Sequence, residues 1–143
     1  MIKKIYIAGP LFNKHEQMYL EDIAKELEGN GYDCFLPHRD QTDIDESELK
    51  GTDMSQETKD KIFQNDFDAL HDADLTVALL TGQDIDSGTS AEIGYTYGQK
   101  KPVIAINANE RRYRNLFVEG MLTVTVNNIC LLYTSDAADD LRG

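Results

Sequence analysis

The stretch "LTVALL", Leu75 to Leu80, reads as one continuous apolar run bounded by polar residues. A run of this length suits a central strand buried on both faces. Its neighbours support that reading. Downstream, Thr89 to Gln99 has helical character and Pro102 to Ile106 is a further strand. Upstream, Ser55 to Ala73 places Phe63, Phe67 and Leu70 on one helical stripe, with Ile62 beside it. Asp33 to Leu36 is a short strand closed by Pro37, and Lys3 to Ala8 is a β-rich run ended by Gly9-Pro10. Between these two strands Leu20, Ile23, Ala24 and Leu27 recur at i, i+3, i+4 and i+7, with Gly29 and Gly31 as the stop. Residues His38 to Asp53 are polar and aperiodic, and are expected to form a loop over a site. The chain after Ile106 is less regular. Strands alternating with helices predict an α/β fold with a doubly wound parallel sheet of about five strands and helices on both faces.

At 143 residues the chain suits one domain, able to bury roughly 70% of the surface its unfolded form exposes. No repeat or interdomain linker interrupts it. The start, MIKKIYIAGP, lacks the long apolar region of a signal peptide, so a cytoplasmic protein is expected. A formal charge of -12 and a pI near 4.5 argue against nucleic acid or an anionic membrane as partner, since both need clustered Lys and Arg. Small neutral ligands stay open. Cys34 and Cys130 form no C-x-x-C, and His15, His38 and His71 are scattered, so neither a disulfide framework nor a metal site is expected.

In parallel α/β sheets, ligands bind outside the carboxyl ends of the strands. The loops expected there are Gly9 to Phe12, Thr81 to Thr89, and the segment after Ile106. The second of these carries two carboxylates, Asp86 and Glu92, on either side of Ser87-Gly88-Thr89-Ser90-Ala91. Thr89-Ser90-Ala91-Glu92 matches a capping box, in which Glu92 reaches back to the helix start. Asp86 lies outside that box and is not needed for capping. The small residues between the two let backbone amides approach a ligand, and the helix N-terminus helps keep Glu92 ionised. Gly94 and Gly98, one turn apart, are expected to pack the helix closely on the sheet. Asp66 lies i+4 from Ile62 and i+3 from Phe63, near the apolar stripe, where desolvation and neighbouring carboxylates raise its pKa toward that of a general acid. The plain reading of Asp66 is a helix-flank acid, and that of Tyr6 a half-buried strand aromatic.

Three stretches together resemble the nucleoside 2-deoxyribosyltransferases: "IYIAGPLF" (Ile5 to Phe12), "QNDFDALHDADLTVALL" (Gln64 to Leu80) and "DSGTSAEIGY" (Asp86 to Tyr95). In that order they cover most of the chain to Ile106, and "NLFVEGM" (Asn115 to Met121) resembles a segment of some members. The resemblance implies a flavodoxin-like fold and an enzyme that moves 2-deoxyribose between nucleobases through a covalent sugar intermediate. It implies Glu92 as nucleophile, Tyr6 as the phenol that orients it, Asp66 as the acid facing the departing base, and Asp86 as the group binding the sugar 5′-hydroxyl. Gly9, Leu11, Phe12 and Gly88 are the further substrate-binding residues expected. The family also supplies an Asn from a neighbouring subunit within Asn-x-Met. Asn128-Ile129-Cys130 is the nearest match, with Cys130 in the place of Met and Asn127 as the alternative.

The implied partners are therefore 2′-deoxyribonucleosides, free bases and a second copy of the chain in a homo-oligomer, with no metal or organic cofactor required. Residues 1–132 are expected to form the family-like domain. The tail from Tyr133, "YTSDAADDLRG", has no amphipathic pattern and is expected to be foreign to it. Two rivals accompany this reading. Hydrolysis of deoxynucleoside 5′-monophosphates is disfavoured because that related family has a small hydroxyl residue in the place of Asp86 and a basic, Ser-containing first loop. A non-catalytic flavodoxin-like receiver or nucleotide sensor is disfavoured because Ala8-Gly9-Pro10 lacks a receiver's acidic pair.

Overall fold

A computed structural model describes residues 1–108 and 114–128. The elements follow in the order β1 (Lys4–Ala8), α1 (Lys14–Gly29), β2 (Asp33–Phe35), α2 (Glu46–Lys50), α3 (Gln56–Asp72), β3 (Leu75–Leu80), α4 (Ser87–Gly98), β4 (Val103–Asn107), α5 (Leu116–Glu119) and β5 (Val124–Val126). The five strands pair in the order β2-β1-β3-β4-β5, all parallel. This is the flavodoxin-like order, in which the chain reverses its winding between β1 and β3.

Strand periodicity divides the core. Ile5 and Ile7 of β1, Leu75, Val77 and Leu79 of β3, and Ile104 and Ile106 of β4 face α1, whose Leu20, Ile23, Ala24 and Leu27 are fully buried against them. Tyr6, Ala8, Ala78, Leu80, Val103 and Ala105 face the other way, against α3, α4 and α5. The expected stripe on α1 is thus a core stripe. Asn13 caps its start by accepting from the Glu16 amide at 2.9 Å, and the chain leaves through Gly31, whose φ of +93° favours glycine.

Several local expectations change. The loop after β2 contains a one-turn helix, α2, capped by Asp45, whose carboxylate accepts from the Ser47 amide. No apolar periodicity announces it, because none of its residues is buried. On α3, Leu70 is core, whereas Phe63 is 66% exposed, so the apolar stripe leaves the sheet partway along the helix. Helix α4 starts at Ser87 and not at Thr89. Gly98 has open space where a side chain would stand, and at Gly94 the nearest atom is the Met121 methyl at 3.9 Å, so neither glycine seats α4 on the sheet. Thr89, Ile93 and Thr96 do. The fifth strand lies at "VTV", a short alternation of β-branched residues within the segment read as irregular. Cys130 and the tail from Tyr133 lie outside the described residues, and Cys34 is buried and unpaired with sulfur. Among the described residues, no helix is long and apolar enough to cross a membrane.

Candidate active site

The carboxyl ends of β1 and β3 open into a cavity of about 470 Å³, at the point where the winding reverses. Its walls come from four places. The loop after β1 supplies Gly9, Leu11 and Phe12; Pro37 follows β2; α3 supplies Phe63, Asp66, Phe67 and Leu70; and Asp86 with α4 supplies Gly88, Ala91, Glu92 and Tyr95. Two of the three expected loops therefore contribute. The third wall is built by Pro37 and α3, and the described residues after Ile106 do not line the cavity.

Glu92 stands in the second turn of α4, beside the buried Ile93. The capping-box reading is corrected here: Asp86 is the N-cap, its Oδ2 accepting from the Thr89 amide at 3.0 Å and from the Thr89 hydroxyl at 3.1 Å. Asp86 wins because its non-helical backbone, at φ -52° and ψ 140°, precedes the first helical residue, which places the cap three residues upstream of Thr89. Glu92 is thereby released from capping and turns inward. Its Oε2 accepts from the hydroxyl of Tyr6, which rises from the β1 floor fully buried and stacked on Phe35 at 5.7 Å. Tyr6 is thus not half-buried, and it reaches the cavity through Glu92.

The electrostatics follow from this burial. Desolvation pushes the Glu92 carboxyl up to about 7, assisted by the charges of Asp66 and Asp86 and opposed by the Tyr6 hydrogen bond. The helix end does not hold it ionised, since dipole influence fades beyond the first turn. Desolvation also raises Asp66 to about 6, with a hydrogen bond from Gln41 acting against it. The Tyr6 hydroxyl is held firmly protonated by burial and by both carboxylates, so it remains a donor.

Asp66 Oδ1 accepts from Gln41 Nε2 at 2.7 Å. Gln41 was not among the residues singled out from sequence; its loop has no periodicity, and a lone Gln carries no motif. Around Asp66 an aromatic wall assembles, with Phe63 stacked on Phe67 at 5.9 Å and Tyr95 edge-on to Phe67 at 5.1 Å. The Tyr95 hydroxyl meets His71 Nδ1 at 2.7 Å. The exposed stripe of α3 is therefore cavity wall.

Both glycines named from sequence have steric roles. A Cβ on Gly9 would lie 2.6 Å from Leu20 Cδ2 and 3.2 Å from Leu79 Cβ, so the loop crosses the core edge at a distance a side chain would not permit. A Cβ on Gly88 would come within 3.3 Å of Asp86 Oδ2. The loop after β1 is pinned further by Gln17 Nε2, which donates to the Leu11 carbonyl at 3.0 Å. Asn127 and Asn128 are exposed beyond β5 and do not line this cavity. Among the described residues no cluster of His, Cys, Asp and Glu is arranged to hold a metal ion.

Curated proteins yield no match. Among solved structures, a conserved protein from Enterococcus faecalis V583 is similar, with a TM-score of 0.76 and 24% identity over 99% of this chain and 98% of that one. A 2-deoxyribosyltransferase from the psychrotolerant bacterium Bacillus psychrosaccharolyticus gives the same TM-score, 0.76, and 24% identity over 96% of this chain and 95% of that one. The CMP N-glycosidase BcmB of Clostridium botulinum is more distant, at a TM-score of 0.59 and 20% identity over 90% and 93%. At these identities the likenesses concern the fold. The family match rests on sequence: residues 5–139 fit the description "Nucleoside 2-deoxyribosyltransferase", a span that includes Tyr6, Asp66, Asp86 and Glu92, and the chain belongs to that family.

Proposed function

We propose that the protein exchanges the nucleobase of 2′-deoxyribonucleosides, with Glu92 as nucleophile. The observation that carries this reading is a buried carboxyl, held by a phenol and facing a second raised carboxyl across a cavity walled by aromatics. In the first half-reaction a Glu92 carboxylate oxygen forms a bond to C1′ as the C1′–N bond breaks, its electron pair going to the base. Asp66 gives its proton to a base ring nitrogen, so the base leaves neutral. In the second half, the acceptor base attacks C1′, the ester to Glu92 breaks, and Asp66 takes the proton released. The pattern parallels retaining glycosidases, with an oxocarbenium-like transition state. Tyr6 directs its hydroxyl to one Glu92 oxygen and leaves the other for the sugar.

Asp86 is assigned to the 5′-hydroxyl. Both capping bonds end on its Oδ2, which leaves Oδ1 for a ligand. The rival activity, hydrolysis of a nucleoside 5′-monophosphate, requires a place for a dianion. Among the described residues that line the cavity there is no Lys or Arg, and Asp86 would repel a phosphate. The neighbouring copy supplies Asn128, or Asn127, to the site of its partner in a homo-oligomer. Phe12, 81% exposed at the cavity mouth, is suited to cover by that copy.

Incubation with deoxyinosine and adenine tests the reading. Transfer yields deoxyadenosine; free hypoxanthine without deoxyadenosine would mean a hydrolase, and no reaction would mean a binding module. Asp86→Ser tests the 5′ assignment: the ratio of kcat/KM for deoxyinosine over its monophosphate should fall at least tenfold. An unchanged ratio would remove Asp86 from that role.

A further inference from the structure

Asp66 is held by a chain of amides whose orientation is dictated at two points by backbone. Asn65 Nδ2 lies 2.9 Å from the Thr42 carbonyl, and Gln41 Nε2 lies 2.9 Å from the Pro37 carbonyl. A carbonyl oxygen only accepts, so both contacts must be made by NH2 groups. Every remaining contact is then determined. Asn65 Nδ2 also donates to Gln41 Oε1 at 3.1 Å, and the second hydrogen of Gln41 Nε2 goes to Asp66 Oδ1 at 2.7 Å.

We infer that Asn65 is a positioning residue for the proposed reaction: by holding the Gln41 carboxamide in one orientation, it keeps Asp66 Oδ1 as an acceptor and leaves Oδ2 as the oxygen that carries the transferred proton. If Gln41 were turned over, its Oε1 would face Asp66 Oδ1, and an ionised carboxylate there would meet an acceptor. The donor to Asp66 is therefore held at both ends of the Gln41 amide, by the Pro37 carbonyl on its NH2 and by Asn65 on its Oε1, although Asn65 touches neither the cavity nor the carboxylate in any bond observed. The sequence order Asn65-Asp66 has the same origin, since adjacent helix residues diverge by about 100°. One side chain reaches the loop after β2 while the next reaches the cavity.

The inference rests on the proposed role of Asp66, so its test reads the carboxyl directly as well as the activity. The titratable groups facing Asp66 are Glu92 on α4 and Tyr6 on β1; Asp86 lines the same cavity, and none of the three is altered. In wild-type protein and in Asn65→Ala, the Asp66 side-chain carbon is followed by carbon-13 NMR from pH 4 to 9. Loss of the lock should move its titration upward by about half a unit, as expected for a weakened hydrogen bond to the ionised form. Base exchange should show kcat reduced about tenfold with KM within twofold, and the basic limb of the pH profile displaced in the same direction.

Asn65→Asp keeps the shape but has no NH2 to give, so it should fail to restore kcat; wild-type kcat in this variant would overturn the inference. An unmoved Asp66 titration in folded Asn65→Ala would overturn it too, and a raised KM alone would reduce Asn65 to a loop anchor and overturn it likewise. If wild type itself performs no exchange while the Asp66 titration still moves, the functional reading falls and the amide lock stands.

Discussion

The two faces of the sheet are built from the same strands and do different work. Toward α1, β1 presents Ile5 and Ile7, β3 presents Leu75, Val77 and Leu79, and β4 presents Ile104 and Ile106, all buried against aliphatic side chains. Among the described residues buried in that interface, the one ionisable group is the Cys34 thiol, pushed up to about 12 by burial. Toward α3 and α4 the same strands present Tyr6, Thr76 and a row of alanines, in which Ala8 pairs with Ala78 and Ala78 with Ala105 across three strands. A short side chain at each of these places leaves room for α4, which packs on β1, β3 and β4. Thr76 and Thr96 share a hydrogen bond at 2.8 Å beneath it, and Thr96 donates to the Glu92 carbonyl at 2.9 Å. One face is packed for stability, and the other accepts buried carboxyls at a cost in stability.

The sharpest break of this comparison is Glu92→Gln. Base exchange should fall by about 10⁴-fold, because a neutral amide is no nucleophile toward C1′. The fold should be untouched, as the amide oxygen still accepts from Tyr6. A retained activity above about a tenth of wild type would reassign the nucleophile.

Leu20→Ala probes the opposite face. Removing a fully buried leucine should lower unfolding free energy by about 3 kcal/mol in urea titrations. The kcat/KM of the folded enzyme should stay within twofold, and a larger change would mean the faces are coupled. Ala78→Val asks the converse question on the α4 face. Two added methyl groups should cost about 2 kcal/mol through overpacking, and here activity should fall with stability because α4 carries Glu92. Full activity with lowered stability would show that the alanine row does not set the helix position.

The smallest effect is the most diagnostic. A carboxyl whose folded pKa exceeds its unfolded value binds its proton more tightly in the folded state, so stability is lost as pH rises from about 4.5 through the folded value. For Glu92 that window closes near pH 7, and Asp66 acts in the same sense to about 6. Thermal unfolding should thus show Glu92→Gln a few degrees more stable than wild type at pH 8 and equal at pH 4. Since the reaction needs one of the pair ionised and the other protonated, kcat/KM should be bell-shaped, with a maximum near pH 6.5 set by the coupled pair. A flat profile from pH 5 to 8 would contradict the acid role of Asp66.

Legibility in the sequence follows the range of the interaction. The α1 stripe, the apolar run of β3 and the parallel alternation were readable because periodicity and burial act over a few residues. The cap of α4 was misplaced because Thr-x-x-Glu and Asp-x-x-Thr are both sound local solutions, and the choice between them depends on where the chain leaves β3. The β5 strand was missed because three residues give too short an alternation; its parallel pairing with β4 is what defines it. Gln41 and Asn65 were invisible as a pair, since their 24-residue separation carries no pattern.

By itself the sequence determined the fold class, the strands that build the sheet's centre and, through three stretches of family likeness, the residues to examine. Only the tertiary structure decided what those residues are to one another. Tyr6 and Glu92 are 86 positions apart and meet because β1 and α4 flank the same reversal of winding. Burial then sets their protonation, as a carboxyl's pKa depends on the solvent excluded around it, and that exclusion comes from side chains distant in sequence. The orientation of Gln41 is likewise a tertiary matter, because two backbone carbonyls from the loop after β2 decide which way its amide faces.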